Sequence, residues 1–182
     1  MPTVSELSAR LVAVIQENRK DPINQFALEV IEQVKVFLRK EFGAPFPAIR
    51  LSLLHGDSYR ERLLELGVPE RSIEGSSGIY VGNVFSAQIL IDLDGVRQFL
   101  LEGKVQSAVV FLCNVLIEEF THALVPKVSD RELCDETIRL VEKFLPDFRF
   151  SQEQKKAIHE SVSGEPKDGL FVADFRNRKE FG

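Results

Sequence analysis

Gln106-Ser-Ala-Val-Val-Phe-Leu-Cys-Asn-Val-Leu-Ile-Glu-Glu-Phe-Thr-His-Ala-Leu-Val125 is the stretch on which the reading of this chain turns. It is apolar over most of its length, with a helical run that closes on Glu118, Glu119 and His122. Residues four apart on a helix lie about 40° apart around the axis, so Glu118 and His122 sit side by side. Glu119 follows about 100° further round and borders the same edge. Ser107, Asn114, Glu118 and Thr121 also fall on one heptad-spaced stripe, so a buried helix with a narrow wet face accounts for the same residues. The elements on either side of the helix weigh between these two readings.

Glu118-Glu119-Phe120-Thr121-His122 resembles the His-Glu-x-x-His signature of the zincin metallopeptidases, with glutamate in place of the first histidine. By position, the resemblance implies that Glu118 and His122 are metal ligands and that Glu119 is the general base acting on a bound water. Carboxylate oxygen binds zinc, so the replacement is compatible with a Zn2+ site. A second anionic ligand lowers the Lewis acidity of the metal, however, and the same residues also fit a catalytically silent site.

The order of elements extends the resemblance over roughly residues 49–145. Before this region, Thr3 or Ser5 caps a first helix reaching about Arg19. Asp21-Pro22 restarts the chain as N-cap and first helical residue of a second helix. Its apolar face, Ile23 through Leu38 at i, i+3, i+4 spacing, ends at Gly43. Ile49-Arg-Leu-Ser-Leu-Leu54 alternates like a half-buried strand, His55-Gly56-Asp57 follows, and Asp57 caps a short helix to Leu66. Ile79–Phe85 and Ala87–Leu93 read as a hairpin turning around Asn83 to Ser86. Gly78 and Gly82 mark a bulge or an edge that a peptide backbone can approach. Asp94 caps a short helix, Val96 to Glu102, ahead of the Gln106–Val125 helix. Small zincins show the same succession: early helices, a strand, a strand pair, then the metal-binding helix.

After Pro126, Ser129-Asp-Arg-Glu132 has the form of a capping box and opens a helix that runs to Pro146. In glutamate-type zincins a later helix supplies a third carboxylate ligand. Glu132, Asp135 and Glu136 are the candidates, and Glu136, nearest the margin of the buried arc, is the choice. Ser151-Gln-Glu-Gln154 opens one more helix, to about Val162, whose His159 stands among charged neighbours and reads as solvated. Leu170-Phe-Val-Ala-Asp-Phe175 is an added strand or a segment docked in a groove.

The expected fold is therefore a small zincin-like α/β (α+β) domain, a short mixed sheet packed on one long helix. It spans residues 1–162: a helical pair at 1–43, a core at 44–145 and a C-terminal helix at 146–162. A polar tail follows at 163–182. The length of 182 residues suits one ordinary core. A formal charge of −5 without a basic stripe argues against nucleic acid as a partner. No apolar run follows a basic N-terminal segment, and the run Ala108–Cys113 is short for a bilayer, so a cytoplasmic protein without membrane contact is expected. Cys113 and Cys134 read as buried reduced thiols.

Two functions follow. One is a metal-dependent hydrolase of peptidase type, with Zn2+ held by Glu118, His122 and Glu136, Glu119 as base, and a peptide or protein substrate aligned along one of the hairpin strands. The other is a catalytically inactive scaffold of the same shape that serves binding or assembly. A di-iron bundle is set aside, because Glu119-x-x-His122 has no second Glu-x-x-His to pair with.

Overall fold

The computed structural model describes residues 1–17, 20–82, 87–126, 128–161 and 171–175. Its elements are α1 (Val4–Gln16), α2 (Pro22–Phe42), β1 (Ile49–Leu54), α3 (Gly56–Glu65), α4 (Glu70–Ile73), β2 (Gly78–Gly82), β3 (Ala87–Asp92), α5 (Asp94–Leu101), α6 (Val105–Leu124), α7 (Asp130–Phe144), α8 (Gln152–Ser161) and β4 (Phe171–Phe175). The small α+β domain expected from the sequence is what forms, with the three anticipated strands in one sheet against the long helix.

The strand order is β1-β3-β2-β4. β3 pairs parallel with β1 from Ile49↔Ala87 to Leu54↔Asp92, and antiparallel with β2 from Gly78↔Ile91 to Gly82↔Ala87. β2 carries β4 on its other side, antiparallel from Gly78↔Phe175 to Gly82↔Phe171. The segment expected to add a strand or dock in a groove thus adds a strand. The first helix, expected to reach about Arg19, ends at Gln16, where the Glu17 N–H closes the last turn on the Ala13 and Ile15 carbonyls. The hairpin turn expected at Asn83 to Ser86 and the polar tail beyond β4 lie outside the described residues.

Alternation of side chains along a strand explains why this sheet is covered on both faces. Tyr80, Ala87, Ile89 and Ile91 join the main core with α1, α2, α6 and α7. Ile79, Val81 and Leu90 point the other way, into a smaller cluster with Tyr59, Leu63, Val68 and Ile73 from α3 and its following segment. α6 is enclosed by the sheet, α1, α2, α5 and α7, and Ala108 through Ala123 are buried without a break. The helix is long and apolar enough to cross a membrane, but 89% of that window is buried inside the fold. Its apolar surface is used here as core, at about 1.5–3 kcal/mol for each large side chain removed from water.

The helix ends show which local signals prevailed. Thr3 and Glu6 form a capping box on α1, and Ser129 with Glu132 form one on α7. Ser151 and Gln154 exchange the same pair of bonds at the start of α8. Gly43 closes α2 in the left-handed region at φ 62°. Two expected caps fall inside the helices they were to open. Asp57 lies within α3, whose N-cap is His55, and Asp94 is the first residue of α5 after Leu93. The Asp94 carboxylate turns instead toward His55, with Oδ1 3.4 Å from Nδ1.

Candidate functional site on helix α6

Glu119 and His122 are both at 0% exposure, and Glu118 is at 9%. The solvated stripe that also fitted these residues is therefore not their setting. Viewed down α6, Glu119 and Glu118 are about 100° apart with His122 between them. All three sit in the last two turns of α6. The Thr121 hydroxyl is turned away from this group, donating to the Ile117 carbonyl at 2.6 Å.

The wall facing this part of α6 is the inward side of β2. A Cβ placed on Gly78 would lie 2.6 Å from Val115 Cγ1, 3.1 Å from Glu119 Cγ and 3.2 Å from Glu119 Oε1. A side chain at residue 78 would collide with α6, and glycine is what admits Val115 and Glu119 there. Two residues on, the Tyr80 ring is near-parallel to the His122 imidazole, with centroids 6.1 Å apart and planes 20° from parallel. Burial raises the Tyr80 phenol above its ordinary pKa, so it stays protonated well past neutrality. The expectation that Gly78 and Gly82 mark a bulge or a landing place for another peptide is corrected here. The space beside each is filled by the chain's own side chains, Glu119 at Gly78 and Tyr80 at Gly82.

Glu136, expected as third ligand, is turned outward on α7. Its Oε1 and Oε2 accept from Arg139 Nη2 and Nε at 2.6 and 2.9 Å, which holds the carboxyl below its usual pKa. The buried arc of α7 runs through Leu133, Cys134, Thr137, Ile138, Leu140 and Val141, so the margin passes on the far side of Glu136. The alternatives are also committed elsewhere: Glu132 to its capping box and Asp135 to His159 at 2.8 Å. Among the described residues, no group of three or more His, Cys, Asp or Glu side chains is arranged to hold a metal ion.

The donor types at Glu118 and His122, one carboxylate and one imidazole, are those zinc accepts. Glu136 does not fit that role. Cys113 and Cys134 are buried free thiols, and burial drives the Cys113 pKa strongly upward, which suits packing and not ligation. His55 is structural: its Nε2 lies 3.0 Å from Asn24 Oδ1, which ties the start of α2 to the end of β1.

The expected alignment of an extended peptide along a hairpin strand also meets the sheet order. β3 is paired on both sides, and the outer edge of β2 is taken by β4. No family model, no curated protein and no solved structure matches the chain.

Tyr80 and Gly78 are the site residues that motif reading missed. Their signal was present in the period of two that puts Gly78, Tyr80 and Gly82 on one face of a strand. What it lacked was any indication of which helix that face would meet.

Proposed function

We propose that the chain is a metal-dependent hydrolase of peptidase type with a divergent zinc site on α6. The observation that carries the reading is the complete burial of Glu119 beside His122, against a strand whose glycine makes room for that carboxylate. A carboxylate and an imidazole are seldom placed together in a core, and their presence at one point of α6 supports reading them as parts of one site. Glu118 and His122 would hold the ion, and zinc supplies polarisation of a carbonyl and acidification of a water. Glu119, one residue from Glu118 and on the same side as His122, takes the proton of the attacking water. Tyr80 covers the imidazole, and the sheet excludes bulk solvent.

A second reading is favoured by two positive observations. Glu136 is bound to Arg139, and the outer edge of β2 is filled by β4. Both suit a zincin-like scaffold that serves binding or assembly without turnover.

The experiment that separates them is a peptide-library assay with added zinc on wild type, Glu119→Gln and His122→Ala, alongside zinc stoichiometry. A general base contributes about 10²–10⁴-fold, so the hydrolase reading expects Glu119→Gln to lose turnover while keeping zinc. His122→Ala loses both. Wild-type turnover that survives Glu119→Gln unchanged refutes the mechanism, and stoichiometric zinc without turnover under any condition selects the scaffold.

A further inference from the structure

We propose that the outer edge of β2 is a peptide-binding edge and that β4 is its built-in occupant. The partner it fits is an extended segment of another protein with an aromatic-x-small-x-aromatic pattern, which displaces β4. Nothing in the proposal depends on a metal at α6.

The pattern is imposed by the core. Gly78 cannot carry a side chain because Val115 and Glu119 of α6 stand where it would go, and Gly82 cannot because the Tyr80 ring does. The face of β2 turned to α6 is therefore fixed as Gly-x-Tyr-x-Gly, and any strand paired there meets that relief. β4 answers it position by position. In the antiparallel register, Phe175 stands opposite Gly78, Ala173 opposite Tyr80 and Phe171 opposite Gly82. Residues directly across such a pair have Cβ atoms about 4.5–5.5 Å apart, so the size of one limits the size of the other. An aromatic residue across from a strand glycine is a stabilising pair, and the small residue falls opposite the large one.

β4 also holds an exchangeable place. It is last in the strand order, so vacating it leaves the ladder between β2 and β3 intact. Residues 162–170 join it to α8, and Ser163-Gly-Glu-Pro-Lys-Asp-Gly169 within them has the composition of a linker. All five residues of β2 are buried. A vacated edge would present a row of backbone N–H and C=O groups beside Ile79, Tyr80 and Val81, which is the surface on which a strand from another chain adds. A tethered strand competes for that edge at an effective concentration of about millimolar. An edge filled nine-tenths of the time lowers the apparent affinity for a free peptide about tenfold.

The test uses the whole chain and a fluorescent peptide of residues 170–176, Leu-Phe-Val-Ala-Asp-Phe-Arg, read by anisotropy. Of two successive residues on an edge strand, one turns its N–H toward the neighbouring strand. Val172→Pro together with Ala173→Pro therefore removes a ladder bond whichever residue supplies it. This variant is expected to bind the peptide at least about tenfold more tightly than wild type does. A peptide with alanine at both phenylalanine positions should lose that binding. A chain with Phe171→Ala and Phe175→Ala keeps its backbone groups and should also gain affinity, so it decides the matter if the proline variant does not fold. Folded variants that bind no better than wild type overturn the proposal, as does equal binding of the alanine peptide. Variants that self-associate in sedimentation without taking up the peptide also overturn it, and assign the edge to a second copy of the chain.

Discussion

Gly78→Ala tests a close contact between the sheet and α6. The added methyl would stand 2.6 Å from Val115 Cγ1, where carbon atoms at rest keep about 3.5–4.0 Å. Roughly 1 Å must therefore be found, and neither wall yields easily. Val115 is a core residue at 1% exposure, and β2 is hydrogen-bonded on both edges. Overpacking of this kind costs about 1–3 kcal/mol. Gly78 does not lie at positive φ, so alanine also restricts the unfolded chain and returns about 0.4–1 kcal/mol. The net expectation is a destabilisation between about 0 and 2.6 kcal/mol.

Urea unfolding reads that loss as a lowered midpoint with an unchanged slope. The decisive comparison is a cycle with Val115→Ala, which removes the atom that the new methyl strikes. Gly78→Ala should cost less in the Val115→Ala background than in wild type, with a coupling of about 0.5–3 kcal/mol. Gly78→Ala strictly additive with Val115→Ala would refute the claim that β2 and Val115 of α6 meet at this point.

Two further outcomes follow from the surrounding electrostatics. Asp92 Oδ1 accepts the N–H groups of Gly56 and Asp94 at 3.1 and 3.0 Å, while burial raises its pKa against those bonds. A raised carboxyl pKa means that the folded state binds more protons, so this group's contribution to stability falls as pH rises from its unfolded value through its folded one. Asp92→Asn keeps an acceptor for both bonds and should flatten that part of the pH–stability curve. Asp92→Ala strands two N–H donors and should cost about 1–3 kcal/mol in chemical denaturation at neutral pH. At Glu136 the sign is opposite, since its lowered pKa gives a contribution present above the unfolded value and lost as pH falls through the folded one. Glu136 is paired on a partly exposed helix face, so Glu136→Gln should change stability by no more than about 1 kcal/mol. On the hydrolase reading proposed above, it should leave zinc affinity at the wild-type value in a competition titration, and a substantial loss would return Glu136 to the site.

Much of the fold was legible because its signals were local. The i, i+3, i+4 run from Ile23 to Leu38 needs only its own residues to declare a helix, and Thr3 with Glu6 or Ser129 with Glu132 declare where one starts. Alternation in Ile49–Leu54 and Ala87–Asp92 likewise gave strands with a buried side. At one of the two misread caps a distant partner competes. Asp94 has the chemistry of an N-cap, but His55, brought alongside by the parallel pairing of β1 with β3, takes its carboxylate. No window of sequence around Asp94 contains that histidine.

The site shows the same division more sharply. The spacing of Glu118, Glu119 and His122 fixes their shared side of α6, because it is a property of one helix. Glu136 failed because its position on α7 was judged from an arc whose limits depend on how α7 rolls against α6. A few tens of degrees of roll separate a ligand from a surface ion pair, and Thr137 and Ile138 facing inward put Glu136 on the outer side. Gly78 and Gly82 were legible as exceptions to strand composition, but glycine in a strand announces only that something comes close. Here what comes close is the acid of the motif at one position and the ring that covers its histidine at the other. At Gly78 the strand gives up a side chain where Val115 and Glu119 of α6 pack, and at Gly82 one where its own Tyr80 packs. Each glycine is thus matched to the side chain that fills its place, and no window of sequence names that neighbour at Gly78.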